Sequence, residues 1–392
     1  RTQYHLRDWL VSRQRYWGAP IPIIYCDDCG ELPVPEEQLP VELPYDVDFA
    51  PTGESPLARS EDFHAVQCPK CGAKARRESD TMDTFVDSSW YFLRYASPHD
   101  TTRAFDPKAV GFWCPVDMYV GGAEHAVLHL LYSRFITKVL FDNGLVKFDE
   151  PFKTLKNPGL ILGEGGEKMS KSRGNVINPD DVVEEWGADA LRLYEMFMGD
   201  FEDKKPWDTK GISGVRRFLD RAHAMVHEVR HKGDEEPTPE MMRALHKCVK
   251  KVSADIEAFK FNTAIAAMMT LLNEWSAGNR GSRDFAATFV AMLSPFAPHL
   301  ADELWKVLGM EGFALQAAWP WYDEAMTVDS TVTIAVQVNG KLRDKMEVEA
   351  GTGEEDLKAR AYASAKIAPL LEGRVIAKTI VVKDKLVSIV LE

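Results

Sequence analysis

Apolar residues recur along this chain in two rhythms. Between about 180 and 325 they fall three and four apart, in Gly214–Arg230, Pro239–Phe259, Thr263–Ala277 and Arg283–Leu308, with Gly and Pro between the segments. That period predicts helices, and their close succession predicts an antiparallel bundle. After Pro320 the period shortens. Thr333–Val338 alternates, Asn339-Gly340 has the form of a two-residue hairpin turn, and Lys341–Glu349 returns. A helix near Glu354–Leu371 and strands at Val375–Val382 and Leu386–Leu391 close a small α+β domain.

The first 160 residues are less regular. Trp9-Leu10-Val11 and Ile21–Ile24 read as short buried strands or connectors. Residues 26–79, rich in Pro, Gly and acidic side chains, read as an inserted module with little core of its own. From 80 to 160 strand and helix patterns alternate. Asp117–Val120 predicts a strand, Gly121-Gly122 a turn, and 123–141 one long helix, with Ala126, Val127, Leu130, Leu131, Phe135, Val139 and Leu140 on its apolar face and Asn143-Gly144 as its stop. Strand, glycine turn, helix is the unit of a doubly wound parallel sheet.

At 392 residues the chain exceeds what one core usually serves, so several domains are expected. Lys plus Arg number 47 against 60 Asp plus Glu, a net charge of −13, which argues against a surface coated in nucleic acid through bulk charge. Residues 330–392 carry +1, so the remainder carries −14. No run of apolar residues is long enough to span a membrane. The opening Arg1-Thr2-Gln3-Tyr4-His5 has neither Met nor an apolar leader, so the expectation is a chain that begins inside something larger. Six cysteines are too few for a disulfide scaffold, and a cytoplasmic location is expected.

Lys168-Met169-Ser170-Lys171-Ser172 lies among Gly163, Gly165, Gly166 and Gly174. Two lysines three apart in a glycine frame suit a polyphosphate, with free backbone N–H groups adding donors. The string, with Gly174-Asn175 behind it, resembles the second signature of the class I aminoacyl-tRNA synthetases. The resemblance covers essentially the whole chain and narrows to the leucyl-tRNA synthetase family. Arg7–Pro22 is similar to the segment after the editing insertion in the leucine, isoleucine and valine enzymes. Thr81–Tyr91 and Gly121–Tyr132 resemble the leucine enzymes in particular. Leu300–Trp305 after Pro295–His299 resembles the end of the anticodon-binding bundle, and Val338–Arg343 with the final Lys385-Leu386-Val387 strand resembles the bacterial C-terminal domain.

This resemblance implies leucine–tRNA ligase activity: leucine activated by ATP with Mg2+, then transferred to tRNA-Leu. Catalytic charge would come from Lys168 and Lys171, with Arg173 as a candidate assistant. ATP would meet Gly121, Gly122, Glu124 and residues Lys168, Met169, Ser170, Lys171 and Ser172. Leucine would meet Phe85, Ser88, Tyr91, His125 and His129. By residue chemistry alone, His125 and His129 are a His-x-x-x-His pair lacking the rest of a metalloprotease pattern, and Phe85 and Tyr91 read equally as core aromatics.

Cys26-x-x-Cys29 and Cys68-x-x-Cys71, 38 residues apart, suit a closed structural Zn2+ site, against free thiols or disulfides. Lys341, Arg343 and Lys345, alternating on the hairpin's return strand, are candidate tRNA contacts or a solvated strand edge. The family's His-x-Gly-His signature and editing domain are not in these residues. A partner is therefore expected: an N-terminal half, or an alpha-type subunit, carrying both. The leucine-specific insertion common in bacterial members is not found between Gly144 and Lys168.

The implied architecture is multidomain α/β and α. It comprises half of a Rossmann-like nucleotide fold (1–25 and 80–160), a zinc insertion (26–79), a signature-loop and stem-contact region (161–212), a helix bundle (213–326) and an α+β tRNA-binding domain (327–392). The alternatives are an isoleucine- or valine-specific synthetase and a non-catalytic tRNA-binding half.

Overall fold

The computed structural model describes residues 9–50, 53–233, 235–276, 281–328 and 331–392. Arg7 and Asp8 of the first motif, the opening residues 1–5 and Ala277 lie outside the described residues. The chain divides into two compact units, Arg1–Gly159 and Leu160–Glu392.

In the first unit, β1 (Ile23–Cys26), β2 (Gly30–Pro33), β3 (Val66–Gln67) and β4 (Lys74–Arg77) form an antiparallel sheet in the order β2-β1-β4-β3. This is the inserted module, and its small core is Ile24, Cys26, Val34, Cys68 and Ala75. Ser12–Arg13 pairs with Thr81–Met82. Short helices α1 (Thr84–Asp87), α2 (Tyr91–Arg94) and α3 (Pro107–Trp113) follow. Strand β5 (Tyr119–Val120) then leads to α4 (His129–Asp142), and β5 pairs in parallel with β6 (Leu155–Lys156).

One sequence expectation fails here. The long helix over 123–141 is broken: Ala123–Val127 is a 3-10 turn, and Leu128, at φ −121° and ψ −114°, separates it from α4. The buried face of α4 is His129, Leu130, Tyr132, Ser133 and Thr137, while Val127, Phe135 and Val139 are exposed. The strand, glycine turn and helix expected at 117–141 are present, with β5 paired in parallel to β6 and a further parallel bridge between Val116 and Phe152.

In the second unit, β7 (Ile161–Leu162) pairs in parallel with β8 (Lys205–Pro206). The helices are α5 (Pro179–Trp186), α6 (Ala188–Phe197), α7 (Ile212–Lys232), α8 (Pro239–Glu257), α9 (Phe261–Ser276), α10 (Arg283–Leu293) and α11 (Pro298–Val307). They share one core, with Phe285, Phe289, Phe296, Ile265, Met268 and Leu272 among its most deeply buried side chains. The single helix expected over 283–308 is two. Pro298 cannot continue the hydrogen-bond ladder of α10 and instead sits in the first turn of α11, where no N–H is needed.

The final domain holds β9 (Thr331–Val338), β10 (Lys341–Glu349), α12 (Glu354–Ala363), α13 (Ala368–Leu371), β11 (Ile376–Val382) and β12 (Leu386–Leu391), in the sheet order β10-β9-β12-β11. Asn339 and Gly340 both take positive φ, 48° and 74°, as a type I′ turn demands. The helix expected over 354–371 is interrupted after Ala363, where Ser364 is not helical (ψ 132°). A separate core of Ile334, Val336, Val348, Leu357, Val387 and Ile389 holds this domain. Among the described residues no helix is long and apolar enough to cross a membrane.

Candidate active site

The first unit gathers the aromatic and histidine residues singled out in the sequence. Arg13 ion-pairs with the buried Asp83 carboxylate at 2.5 Å, and Asp83 also accepts the Phe85 N–H at 2.8 Å, capping α1. That cap directs α1 against α4. Ser88 Oγ lies 3.0 Å from His129 Nδ1, sharing a hydrogen bond with it. The His129 ring sits between two tyrosines: Tyr91 stacks at 5.8 Å and Tyr119 lies at 5.4 Å, tilted by 34°. Phe85 meets His125 edge-on at 6.4 Å, and His125 meets His129 edge-on at 6.2 Å. Phe85, Ser88, Tyr91, His125 and His129 therefore form one cluster.

Its electrostatics follow from burial. Desolvation, and then the neighbouring His125, push the His129 imidazole below its usual value. Burial pushes the Tyr91 and Tyr119 phenols up. The cluster thus presents a ring-rich surface in which burial favours the neutral form of His129, with the buried His125 Nδ1 left without a protein partner. Such a lining suits a small apolar side chain, with a polar atom to orient it. Tyr119 belongs here but was not singled out in the sequence. Its signal was available: a strand residue two before Gly121. A Cβ on Gly121 would lie 2.9 Å from the Tyr119 ring, so glycine is what lets that ring turn inward. Phe152, 4.4 Å from Tyr119, had no local signal. At Gly122 the neighbour is the exposed Glu124 carboxylate, which folds back over it.

The second unit holds the lysine loop. An antiparallel bridge joins Leu162 to Lys168, and Gly163 N–H donates to Glu167 O at 2.8 Å. Asn175 ties the loop from within. Its Oδ1 accepts from Ser170 N at 2.8 Å, and its Nδ2 donates to Lys168 O at 3.3 Å. Ser170 and Ser172 hydroxyls are 2.8 Å apart. Lys171–Arg173 forms one 3-10 turn, ended by Gly174 at φ 65°. Met169 packs against the helical core while Lys168 and Lys171 are exposed. Arg173 is held by Glu167 at 2.6 Å. Among the described residues no carboxylate pairs with Lys168 or Lys171, so both ammonium groups are available to an anionic ligand.

Cys26, Cys29, Cys68 and Cys71 converge: their sulfurs all lie within 4.8 Å of one another, and Cys26 and Cys71 sulfurs are 3.6 Å apart. Tetrahedral zinc with bonds near 2.3 Å places its sulfurs ~3.8 Å apart, so the donor set fits. Burial raises the Cys68 thiol, but N–H groups of Cys71 and Lys70 aimed at its sulfur outweigh that and bring it to about 6. No disulfide joins these cysteines.

Lys341, Arg343 and Lys345 are all exposed, but they do not share one face. Gln337 pairs with Leu342 and Val336 with Asp344, which leaves Arg343 as the extra residue of a β-bulge. Lys341 is paired with the buried Val338 and Lys345 with Ala335, so the bulge puts them on opposite sides of the sheet.

A family model described as tRNA synthetases class I (I, L, M and V) matches residues 4–205. The chain belongs to that family. A second model, the anticodon-binding domain of tRNA ligase, matches 239–358. Leucine–tRNA ligases of Thermosipho melanesiensis and Thermotoga maritima are 49% and 50% identical over 100% and 99% of the chain, which covers 50% of each of them. The chain thus spans about half the length of these relatives. A crystal structure of the Agrobacterium radiobacter K84 agnB2 LeuRS-tRNA-LeuAMS ternary complex superposes with a TM-score of 0.82 at 40% identity, covering all of this chain and 53% of that one.

Proposed function

We propose that this chain is the C-terminal part of a leucine–tRNA ligase, which activates leucine with ATP and Mg2+ and transfers it to tRNA-Leu. The observation that carries this reading is the near-50% identity to leucine–tRNA ligases along the whole chain. The site geometry agrees with it. Leucine's isobutyl group would lie against Phe85, Tyr91, Tyr119 and His129, with Ser88 and His125 as polar partners. ATP would rest on Gly121, Gly122 and Glu124. Lys168 and Lys171 would meet the phosphates, with Met169, Ser170 and Ser172 shaping the loop.

The chemistry needs no side-chain nucleophile. The leucine carboxylate attacks the α-phosphorus and pyrophosphate leaves; the tRNA terminal ribose hydroxyl then attacks the leucyl carbonyl carbon of the adenylate, and AMP leaves. Lysine charge placed where the leaving group becomes more negative lowers that barrier. The four cysteines would hold a structural zinc that orders the inserted module. Lys341 and Arg343 would contact tRNA.

The exposed Val127, Phe135 and Val139 around α4 fit burial against an N-terminal half bearing the first signature and the editing domain. An apolar pocket separates one methylene by only about 1–3 kcal/mol, which is why editing belongs with this specificity.

The test is ATP–pyrophosphate exchange by the chain combined with such an N-terminal half. Exchange should depend on leucine, exceed that with isoleucine or valine, and fall at least about 100-fold in Lys171→Ala. Equal exchange with valine, or an unaffected Lys171→Ala, would overturn the proposal.

A further inference from the structure

Helix α7 carries three histidines, His223, His227 and His231, at i, i+4 and i+8. Its opposite face, with Phe218, Ala222, Met225, Val226 and Val229, is buried in the bundle core, which fixes the backbone beneath them. Four residues along a helix rise about 6 Å and turn about 40° past one full turn, so the three imidazoles form one surface stripe. His223 and His231 are exposed and His227 is half-buried. The rings of His223 and His227 lie 4.2 Å apart, tilted by 34°, and His231 follows 6.3 Å from His227. Among the described residues, no hydrogen bond or ion pair engages any of the three. In the other histidine pair at this spacing, His125 and His129, the rings stand edge-on at 6.2 Å and His129 is bonded to Ser88.

The surroundings of the stripe suit a cation. Lys232 is paired with Glu228 and Arg216 with Asp220, so those basic groups are balanced. His223 also lines a cavity of about 540 Å3 into which α11 brings Glu303. Two imidazole nitrogens sharing one ion at about 2.1 Å stand about 3.4 Å apart. Rings with centroids 4.2 Å apart reach that separation by turning about χ2.

We infer that His223 and His227 form a binding site for a divalent transition-metal ion, with water completing its coordination and His231 as a second partner for His227. Imidazole nitrogen selects Ni2+, Cu2+ or Zn2+, whereas Mg2+ and Ca2+ take oxygen. The bound ion ties two successive turns of α7 together ahead of its end at Lys232. This site lies on a different helix from the lysine loop and outside the cysteine module, and it does not depend on ligase activity.

Ni2+ is the probe. The chain, first given one equivalent of Zn2+ for its cysteines, is titrated with Ni2+ by calorimetry, and the parent should take up one Ni2+ at the stripe. His227 belongs to both pairs at this spacing, so His227→Ala should weaken that uptake about tenfold or more. His223→Ala should weaken it less, because His227 and His231 remain, and His231→Ala should change it least. None of these substitutions touches the cysteine module, so the difference from the parent reports the stripe whatever the cysteines hold. Circular dichroism should show unchanged helix content, because all three side chains lie at the surface.

In a histidine-labelled sample, substoichiometric Ni2+ should broaden the ring signals of His223 and His227 before that of His299, whose Nδ1 is engaged by Asp189. Millimolar Mg2+ should not displace the ion. Ni2+ uptake unchanged in His227→Ala would overturn the site. Broadening spread evenly over the exposed histidines would do the same, as would displacement by Mg2+, which would move the ion to the carboxylates of Asp220 and Glu303.

Discussion

The Asp189 carboxylate, in the first turn of α6, accepts the N–H of Leu300, in the first turn of α11, at 2.7 Å. The residue before α11, Ala297, has no side chain able to cap it, so the cap comes from a residue 111 positions earlier. The same carboxylate accepts from His299 Nδ1 at 2.8 Å and is nearly buried. Asp189→Ala should destabilise the helical unit by about 0.5–2 kcal/mol, since it leaves N–H groups in the first turn of α11 without their cap. Urea unfolding followed by helix circular dichroism measures this. A loss under about 0.5 kcal/mol would mean water replaces the carboxylate at no cost.

The cysteine cluster makes a stoichiometric prediction. Purified chain should carry one zinc per molecule by elemental analysis, and a strong chelator should release it along with new thiol reactivity at Cys26, Cys29, Cys68 and Cys71. Cys248 should not react under the same conditions, because burial pushes its thiol up to about 12. Cys71→Ser should reduce zinc content without unfolding the helices, whose core shares no residue with the module. Zinc-free chain whose four cysteines react at the rate of a free peptide would exclude the site.

His129 should make stability depend on pH. Burial holds its imidazole below the unfolded value of about 6.5, so the folded chain binds fewer protons than the unfolded one. The stabilisation is complete above about 6.5 and is lost as pH falls through the lower folded value. Relative to His129→Phe, the parent should lose urea resistance as pH falls below about 6.5. A constant difference between the two proteins would mean that burial does not govern this imidazole.

How much of this was legible before folding depends on the range of the interaction. The Asn339-Gly340 turn, the paired cysteines and the glycine-framed lysines are local, and each forms where the spacing put it. The break at Leu128 was not legible, because the Ala126–Leu140 pattern is helical throughout. Just past the break, His129 packs between Tyr91 and Tyr119, contacts that the spacing within 126–140 does not announce. The inward turn of Tyr119 depends on Gly121, and the recruitment of Phe152 depends on tertiary contact alone. The alternation of Lys341, Arg343 and Lys345 misled for a related reason: a bulge is set by the partner strand, here between Val336 and Gln337, and nothing within 341–345 announces it.

Asp344, the first residue of β10 beyond that bulge, gives the final domain its own acid sensitivity. The Ser364 hydroxyl donates to its carboxylate, Lys366 Nζ lies 2.9 Å away, and together they bring it to about 2. An unfolded aspartate titrates near 3.9, so the folded domain holds fewer protons across the interval between those values. The contribution is therefore present above about 4 and disappears as pH falls toward 2. Ser364→Ala removes the largest cause and should shift the loss upward in pH. Hydrogen exchange of β10 amides, read against the amides of α10 in the same sample, separates this domain from the bundle. Exchange that quickens equally in both elements would place the acid sensitivity elsewhere. Quickening confined to β10, and starting at higher pH in Ser364→Ala, is the expected result.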